Sequence, residues 1–490
     1  MLFTREQTAA PGAPIGLPAG AFVIRNSGRI LGACPKRWWF RVAEGLVPKV
    51  DARALSYGTA WHATLEDVHR TWMRLPGSSY EPEDLFRCAW CGRLGLADPG
   101  SCPRCKGTGA GPVNRAATEW HDTDREGDTE ALSRAAIGWL IRHGTTPPEG
   151  FDVVAVELGL SMPIRVVHSS RRKIKGSTVY EPELYVVRAP DGRERLARTG
   201  EALPGRLRDG WECVLRRCPA HVSSRLDLAL REGSALWVGE LKSSQDPHRY
   251  LMGLNVDPQV ATYELVLQEA SDRGLLGAPS PDCRGGLASG LRVAGWVYDV
   301  SSSRLQRDPK LLKGRARKDG TRVGAGAIST AANNLASVPS WRLRASLDAA
   351  ERDEEGKRRG LTDAEAEGLV SSQEEWVDRK FYARETGSSG VDRLLEVRIE
   401  LLGEARRMAA FHRAAARCES AAEVAEAFPR IAVCRAPGAH CAYRGPCFND
   451  SPEAREGFTM PSELRELWAE EEEHEEREAE TEEGGWEDWS

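Results

Sequence analysis

Residues 224–244 read SRLDLALREGSALWVGELKSS. Apolar residues alternate along both halves, and the polar REGS between them predicts two antiparallel strands joined by a tight turn at about Arg231 to Ser234. With Leu230 paired to Ala235, Asp227 lies opposite Val238, and Glu240 is its diagonal neighbour on the same face. Lys242, two residues beyond Glu240, points to that face as well. Two carboxylates so placed can share one cation, with an ammonium beside them. Hydrolysing a phosphodiester asks for such a set, because it needs an activated water and neutralised charge on the phosphoryl oxygens. An isolated E-x-K is otherwise a surface hairpin with a salt bridge, so its meaning depends on the surroundings.

Those surroundings are α/β in character. FDVVAVELGLSMPIRVV, LYVVRA and LRVAGWVYDV are further strand-like runs bounded by Gly, Pro, Asp and Ser. Asp257 and Pro258 predict the N-cap and first residue of a helix over PQVATYELVLQEASDRG, where Gln259 and Tyr263, four apart, share one face. A second helix is predicted from about Tyr57 to Arg74, with Thr59 as cap and Trp61, Leu65, Val68 and Trp72 as its apolar stripe; His62 and Glu66 share a neighbouring face. Another helix is expected from about Thr129 to His143, and ILGACPKRWWFRVAEGL reads as a short helix carrying Cys34. Residues 363–418 read as two helices interrupted near GSSG. Glu157, in VVAVELGL, reads as structural or as an outer neighbour of the acidic site.

The composition of the 490 residues, 41% hydrophobic and 29% charged, is that of a globular protein. No run approaches the roughly 18 apolar residues of a membrane span, and the N-terminus lacks a signal-peptide pattern, so a cytoplasmic protein without membrane contact is expected. The net charge of −6 conceals an asymmetry: residues 463–490 hold 14 acidic residues against two arginines, so the rest of the chain is basic. Residues 301–345 alone carry ten Lys/Arg and two Asp. A basic body is compatible with nucleic acid, and the segment RLQRDPKLLKGRARKDGTR can follow a phosphate backbone or be a solvated loop. No GxxxxGK[ST] loop occurs, which argues against a built-in ATP-driven motor.

Taken in order, GTAWHATLE with His62, SRLDLAL with Asp227, GELK with Glu240 and Lys242, and QVATY with Gln259 and Tyr263 resemble the motifs of the RecB-like branch of the PD-(D/E)XK nuclease superfamily. The resemblance implies a restriction-endonuclease-like core, a mixed central sheet flanked by helices. It also implies that His62, Asp227, Glu240 and the backbone carbonyl of Leu241 ligate a catalytic Mg²⁺ or Mn²⁺, that Lys242 is catalytic, and that Gln259 and Tyr263 line the active site or touch DNA. The activity implied is metal-dependent DNA cleavage in replication, repair or recombination of a bacterium or its virus. Exonucleolytic action on DNA ends or single strands is favoured, with a helicase or recombination partner. A structure-dependent endonuclease and a noncatalytic DNA-binding or recombination scaffold of the same fold are the competing readings.

Twelve cysteines without an export signal point to metal ligands and free thiols. CAWCGRLGLADPGSCPRC spaces Cys88, Cys91, Cys102 and Cys105 as C-x2-C-x10-C-x2-C, two knuckles that can enclose a tetrahedral Zn²⁺, either as a staple for a small insert or as a grip on DNA or a partner. Cys34 with Cys434, Cys441 and Cys447 resembles the 4Fe-4S arrangement of CRISPR-associated RecB-like exonucleases and AddB-type nucleases, although the x6 gap from Cys434 to Cys441 is wider than theirs, and zinc competes as the occupant.

The organisation expected is a helical N-terminal part with Cys34 and His62 (1–80), a zinc-ribbon insert (81–112), the nuclease core (113–300), a basic insert or linker (301–362), C-terminal helices with the late cysteines (363–450) and a disordered acidic tail (451–490).

Overall fold

The computed structural model describes residues 14–25, 34–48, 53–119, 126–197, 209–252, 257–316, 322–430 and 441–459, leaving out short stretches within them, the longest being 92–101. Cys434 and nearly all of the acidic tail lie outside the described residues. The chain divides into two compact units, one made of Met1–Asp51, Ser161–Ser223 and Leu395–Ser490, the other of Ala52–Leu160 and Ser224–Leu394.

The second unit is a mixed α/β layer structure. Its sheet carries, in order, β2 (Ala220–Glu232), β3 (Ala235–Ser244), β4 (Arg292–Ser302) and β5 (Tyr382–Gly387), while β1 (Asp152–Pro163) also pairs with β2. The hairpin β2–β3 turns on Gly233 and Ser234, with Gly233 at φ 57°, a backbone sign that a two-residue hairpin demands and glycine supplies without strain. Leu230 pairs with Trp237 and Leu228 with Gly239, which corrects the expected pairing of Leu230 with Ala235 by two residues. Gly239 is required there for a steric reason: a Cβ on it would sit 2.8 Å from Cβ of Leu228.

β3 and β4 run parallel, with Glu240 beside Tyr298. Parallel neighbours need a crossover, and helix Pro258–Asp272 lies within it. Asp257 caps that helix by accepting a hydrogen bond from Gln259 N at 2.8 Å, as the sequence predicts. Strand β5, antiparallel to β4, falls where helix was expected; the stretch 363–418 is broken by a sheet strand ahead of GSSG, held through Arg384 and Asp299 as a two-point ion pair across the register.

On one side the sheet is covered by α1 (Arg53–Arg74) and α2 (Glu126–His143). Trp61, Leu65, Val68 and Trp72 of α1 are buried as their spacing predicts, and Trp72 stacks on Trp139. Thr59 lies inside α1, six residues past its start, so it is not the cap.

In the first unit, Phe22–Arg25 pairs in parallel with Ala220–Ser223, and Glu183–Arg188 forms the centre of a three-stranded sheet. The short helix Pro35–Trp38 is capped by Cys34, whose Sγ accepts from Arg37 N at 3.5 Å. Trp38 packs against Phe411 and Phe428, Phe40 stacks on Tyr443, and Tyr443 Oη donates to the Leu46 carbonyl at 2.9 Å, so early and late segments share one core. No helix among the described residues is long and apolar enough to cross a membrane.

Candidate active site

The acidic centre lies in the second unit, on the face of β2 and β3 that carries Asp227, Glu240 and Lys242. Continuing the observed register by one residue sets Asp227 directly opposite Glu240. The N–H of Leu241 donates to Asp227 Oδ2 at 2.8 Å, fixing that carboxylate against the next strand. Lys242 pairs with Oε1 of Glu240. The other oxygen, Oε2, has no hydrogen-bond partner, although Glu240 is only 1% exposed. A buried, half-satisfied carboxylate is costly unless a cation compensates it.

Helix α1 brings His62 to the same place, with Nδ1 3.3 Å from Asp227 Oδ1. Glu157 arrives from β1. One ligand atom each of His62, Glu157 and Asp227 lies within 4.8 Å of the others, so Glu157 joins this closest set while Glu240 stands beside it on Lys242. Sequence reasoning assigned Glu157 no ligand role. Its one signal was a lone carboxylate inside the apolar run VVAVELGL. The backbone adds another: Glu157 holds φ 54°, a left-handed conformation rare for a non-glycine residue in a strand and characteristic of positions constrained by a site. Arg225, also on β2, places Nε 3.5 Å from Glu157 Oε2.

The charges perturb one another strongly. Burial and the Asp227 charge push the Glu240 carboxyl up to about 8, against the pull of Lys242. Burial, Asp227 and Glu66 push Glu157 up to about 7. Burial also works to raise Asp227, but the hydrogen bond and charge of His62, the charge of Lys242 and the Leu241 amide hold it below the ordinary aspartate value. Burial works against protonation of His62 and Lys242, yet both are raised, His62 by Asp227 and Lys242 by Glu240 and Asp227. The site is therefore short of positive charge. Carboxylate oxygens with one imidazole suit Mg²⁺ or Mn²⁺, and the unpartnered Glu240 oxygen is a further acceptor for such an ion.

Tyrosines enclose Glu240 and Lys242. Tyr263, beneath Gln259 on the same helix and hydrogen-bonded to its side-chain amide, is held above the ordinary phenol value by burial and by Glu240. Tyr298 is fully buried on β4 with an unpartnered hydroxyl, and half-buried Tyr250 is pushed up to about 12 by burial, with Glu240 and Asp257 adding to it. The last two were not foreseen; Tyr298 follows from strand pairing, which a single sequence does not display.

The four early cysteines converge as their spacing predicts. Sγ atoms of Cys88 and Cys102 are 3.8 Å apart and those of Cys91 and Cys105 are 3.2 Å apart, with all four within 4.8 Å. A tetrahedral zinc with bonds of about 2.3 Å spaces its thiolates by about 3.8 Å, so the set fits that ion. Although burial opposes it, Cys105 is drawn down to about 6 by Cys91 and the Gly109 and Gly107 backbones, which favours the thiolate. Of the second cysteine set, Cys34 and Cys447 are buried and Cys441 half-buried. They are not among the close ligand groups of the described residues.

Residues 29–448 match the family model of the PD-(D/E)XK nuclease superfamily. No curated protein matches the chain. The motif-bearing strands, the mixed sheet and a match over most of the length agree, and the chain belongs to the PD-(D/E)XK nuclease superfamily, whose nucleases use divalent metals.

Proposed function

We propose that this protein is a divalent-metal-dependent deoxyribonuclease of the RecB-like branch, acting as an exonuclease on DNA ends or single strands in replication, repair or recombination. The observation that carries the reading is Glu240, buried beside Asp227 with one oxygen on Lys242 and the other unpartnered. A hydrogen-bonded surface hairpin does not need that arrangement, and DNA binding alone does not need it either.

In this reading His62, Asp227, Glu240, the Leu241 carbonyl and Glu157 hold Mg²⁺ or Mn²⁺. When bound, the cation supplies Lewis acidity toward the phosphoryl oxygens and lowers the pKa of a water. The chain's own residues do the rest. Lys242, kept charged by its two carboxylate neighbours, orients the attacking water or stabilises phosphoryl charge. His62 and the Leu241 amide fix the orientation of Asp227. Gln259 and Tyr263 line the approach to Lys242 and contact the substrate.

Cys88, Cys91, Cys102 and Cys105 hold a structural zinc in a ribbon inserted between α1 and α2. Cys34, Cys434, Cys441 and Cys447 hold a 4Fe-4S cluster that clasps early and late segments, a reading supported by the shared aromatic core of Trp38, Phe40, Phe428 and Tyr443. A helicase partner supplies the motor, a reading supported by the absence of a GxxxxGK[ST] loop from these 490 residues.

The test is cleavage of end-labelled linear single- and double-stranded DNA and of closed circles, with and without Mg²⁺ or Mn²⁺, comparing wild type with Lys242→Ala. Metal-dependent loss of linear substrate alone, absent in the variant, is the expected result. Cutting of closed circles makes the protein an endonuclease, and DNA binding without any cleavage makes it a scaffold.

A further inference from the structure

Arg225 stands two residues before Asp227 on β2, and strand alternation sends both side chains to one face. Its side chain is 62% exposed, and among the described residues its ion-pair partner is Glu157, with Nε 3.5 Å from Oε2 on β1. Glu157 is also one of the three residues whose ligand atoms already gather within 4.8 Å, and its left-handed backbone aims it from an otherwise apolar strand. One carboxylate therefore faces two claimants, an arginine in the solvent and a cation in the centre.

The competition is unequal. An ion pair stretched to 3.5 Å with its arginine largely in solvent is a weak charge contact, whereas a divalent cation among several carboxylates draws on all of them. An arginine displaced at the rim of such a centre presents a planar fork of donors that matches a phosphate better than a lysine does. Nothing in this exchange leaves a buried charge unpaired, because the guanidinium is in water before it meets DNA.

We propose that Arg225 is a substrate-phosphate contact released by the catalytic cation: Glu157 holds it while the centre is metal-free, and when Glu157 turns to the cation the guanidinium pairs with a backbone phosphate of the DNA strand in the site. Metal binding and DNA binding are thereby coupled through an exchange of partners. The inference rests on the nuclease reading given above and adds a residue and a coupling to it.

The test uses the full chain carrying Lys242→Ala to stop turnover, with a fluorescent single-stranded oligonucleotide and anisotropy as the readout, in EDTA and in Mn²⁺. Mn²⁺ is expected to tighten binding about tenfold, the size of a charge-assisted phosphate contact. Adding Arg225→Ala should remove most of that gain while leaving the EDTA affinity within about twofold, and it should lower the slope of log affinity against log salt by about 0.7 in Mn²⁺ only. Arg225→Lys should recover the salt slope and part of the affinity. An unchanged Mn²⁺ gain in Arg225→Ala, or no gain in either protein, overturns the exchange. If wild type also fails to bind or cut DNA under any condition, the nuclease reading falls and takes this inference with it; if wild type cuts normally, the inference falls alone.

Discussion

The two ligand clusters of the second unit are built on opposite plans. The cysteine set comes from one short stretch of chain, held by turns such as the Cys88 N to Gly109 O bond of 2.8 Å, and it offers four thiols of one kind. The carboxylate centre is drawn from a helix, a separate strand and a hairpin that are far apart in sequence, and it mixes acids, an imidazole and an ammonium that already acts as an internal counterion. The first stands to gain its order from its metal; the second has its order from the sheet and spends it on the metal. The contrast teaches that removing metal should cost structure at one cluster and chemistry at the other.

The largest effect expected is on cleavage. Asp227→Ala and Glu240→Ala should each lower the rate by roughly a thousandfold or more while keeping the circular dichroism spectrum of wild type. Substantial cleavage by both variants would remove the carboxylate centre from the mechanism. At the other cluster, Cys102→Ser should leave the cleavage rate within about threefold but render residues 86–112 sensitive to limited proteolysis and lower the Tm by several degrees. Equal protease resistance would mean that the thiols need no metal to hold their shape.

A pH comparison sharpens the same point. In the fold, Glu157 and Glu240 titrate at about 7 and about 8, and His62 is raised as well. Below about pH 6.5 their extra protons are offset by His69, His143 and His412, which burial draws down to about 4, so that the unfolded chain binds protons there and the fold does not. From about pH 7 to 8 the two acids prevail, and metal-free stability falls as pH rises. Asp227, which is depressed, contributes stability above its ordinary value and loses it only as pH falls through its folded one, below this window. In EDTA the Tm should be about 1–2 °C lower at pH 8 than at pH 7, and Mn²⁺ should erase the difference. A metal-free Tm that climbs over the same interval would show that the acids are compensated without a cation.

The smallest effect concerns one backbone angle. At φ 54°, Glu157→Gly should be more stable than Glu157→Ala by about 1 kcal/mol by denaturant unfolding, because alanine pays for the left-handed conformation and glycine does not. Equal stabilities would mean that the backbone relaxes once the carboxylate is gone.

The legibility of these features follows their physics. The cysteine cluster is local, so its spacing was enough. Asp227, Glu240 and Lys242 were legible as a face because the error in hairpin register was an even two residues, and strand alternation preserves faces under an even shift while changing partners. The helix after Asp257 carried its own cap and first-turn proline. Strand β5 was hidden because YARETG is polar along its exposed edge and is flanked by helical sequence on both sides. Glu157 was hidden for a different reason: its side chain is aimed by an unusual φ, and periodicity assumes a regular backbone. Arg225 looked like any polar residue beside a motif, and its partner became visible only when β1 and β2 lay side by side.

Gly239 carries none of the chemistry, yet it precedes Glu240 on the strand and faces Leu228 across a gap that admits no methyl group. Any larger residue there must displace Leu228, the immediate neighbour of Asp227, and so would be felt at a carboxylate it never touches. Among descendants of this chain that keep the activity, position 239 should therefore be almost invariant, a constraint imposed by the width of a crevice and mistaken easily for a catalytic role.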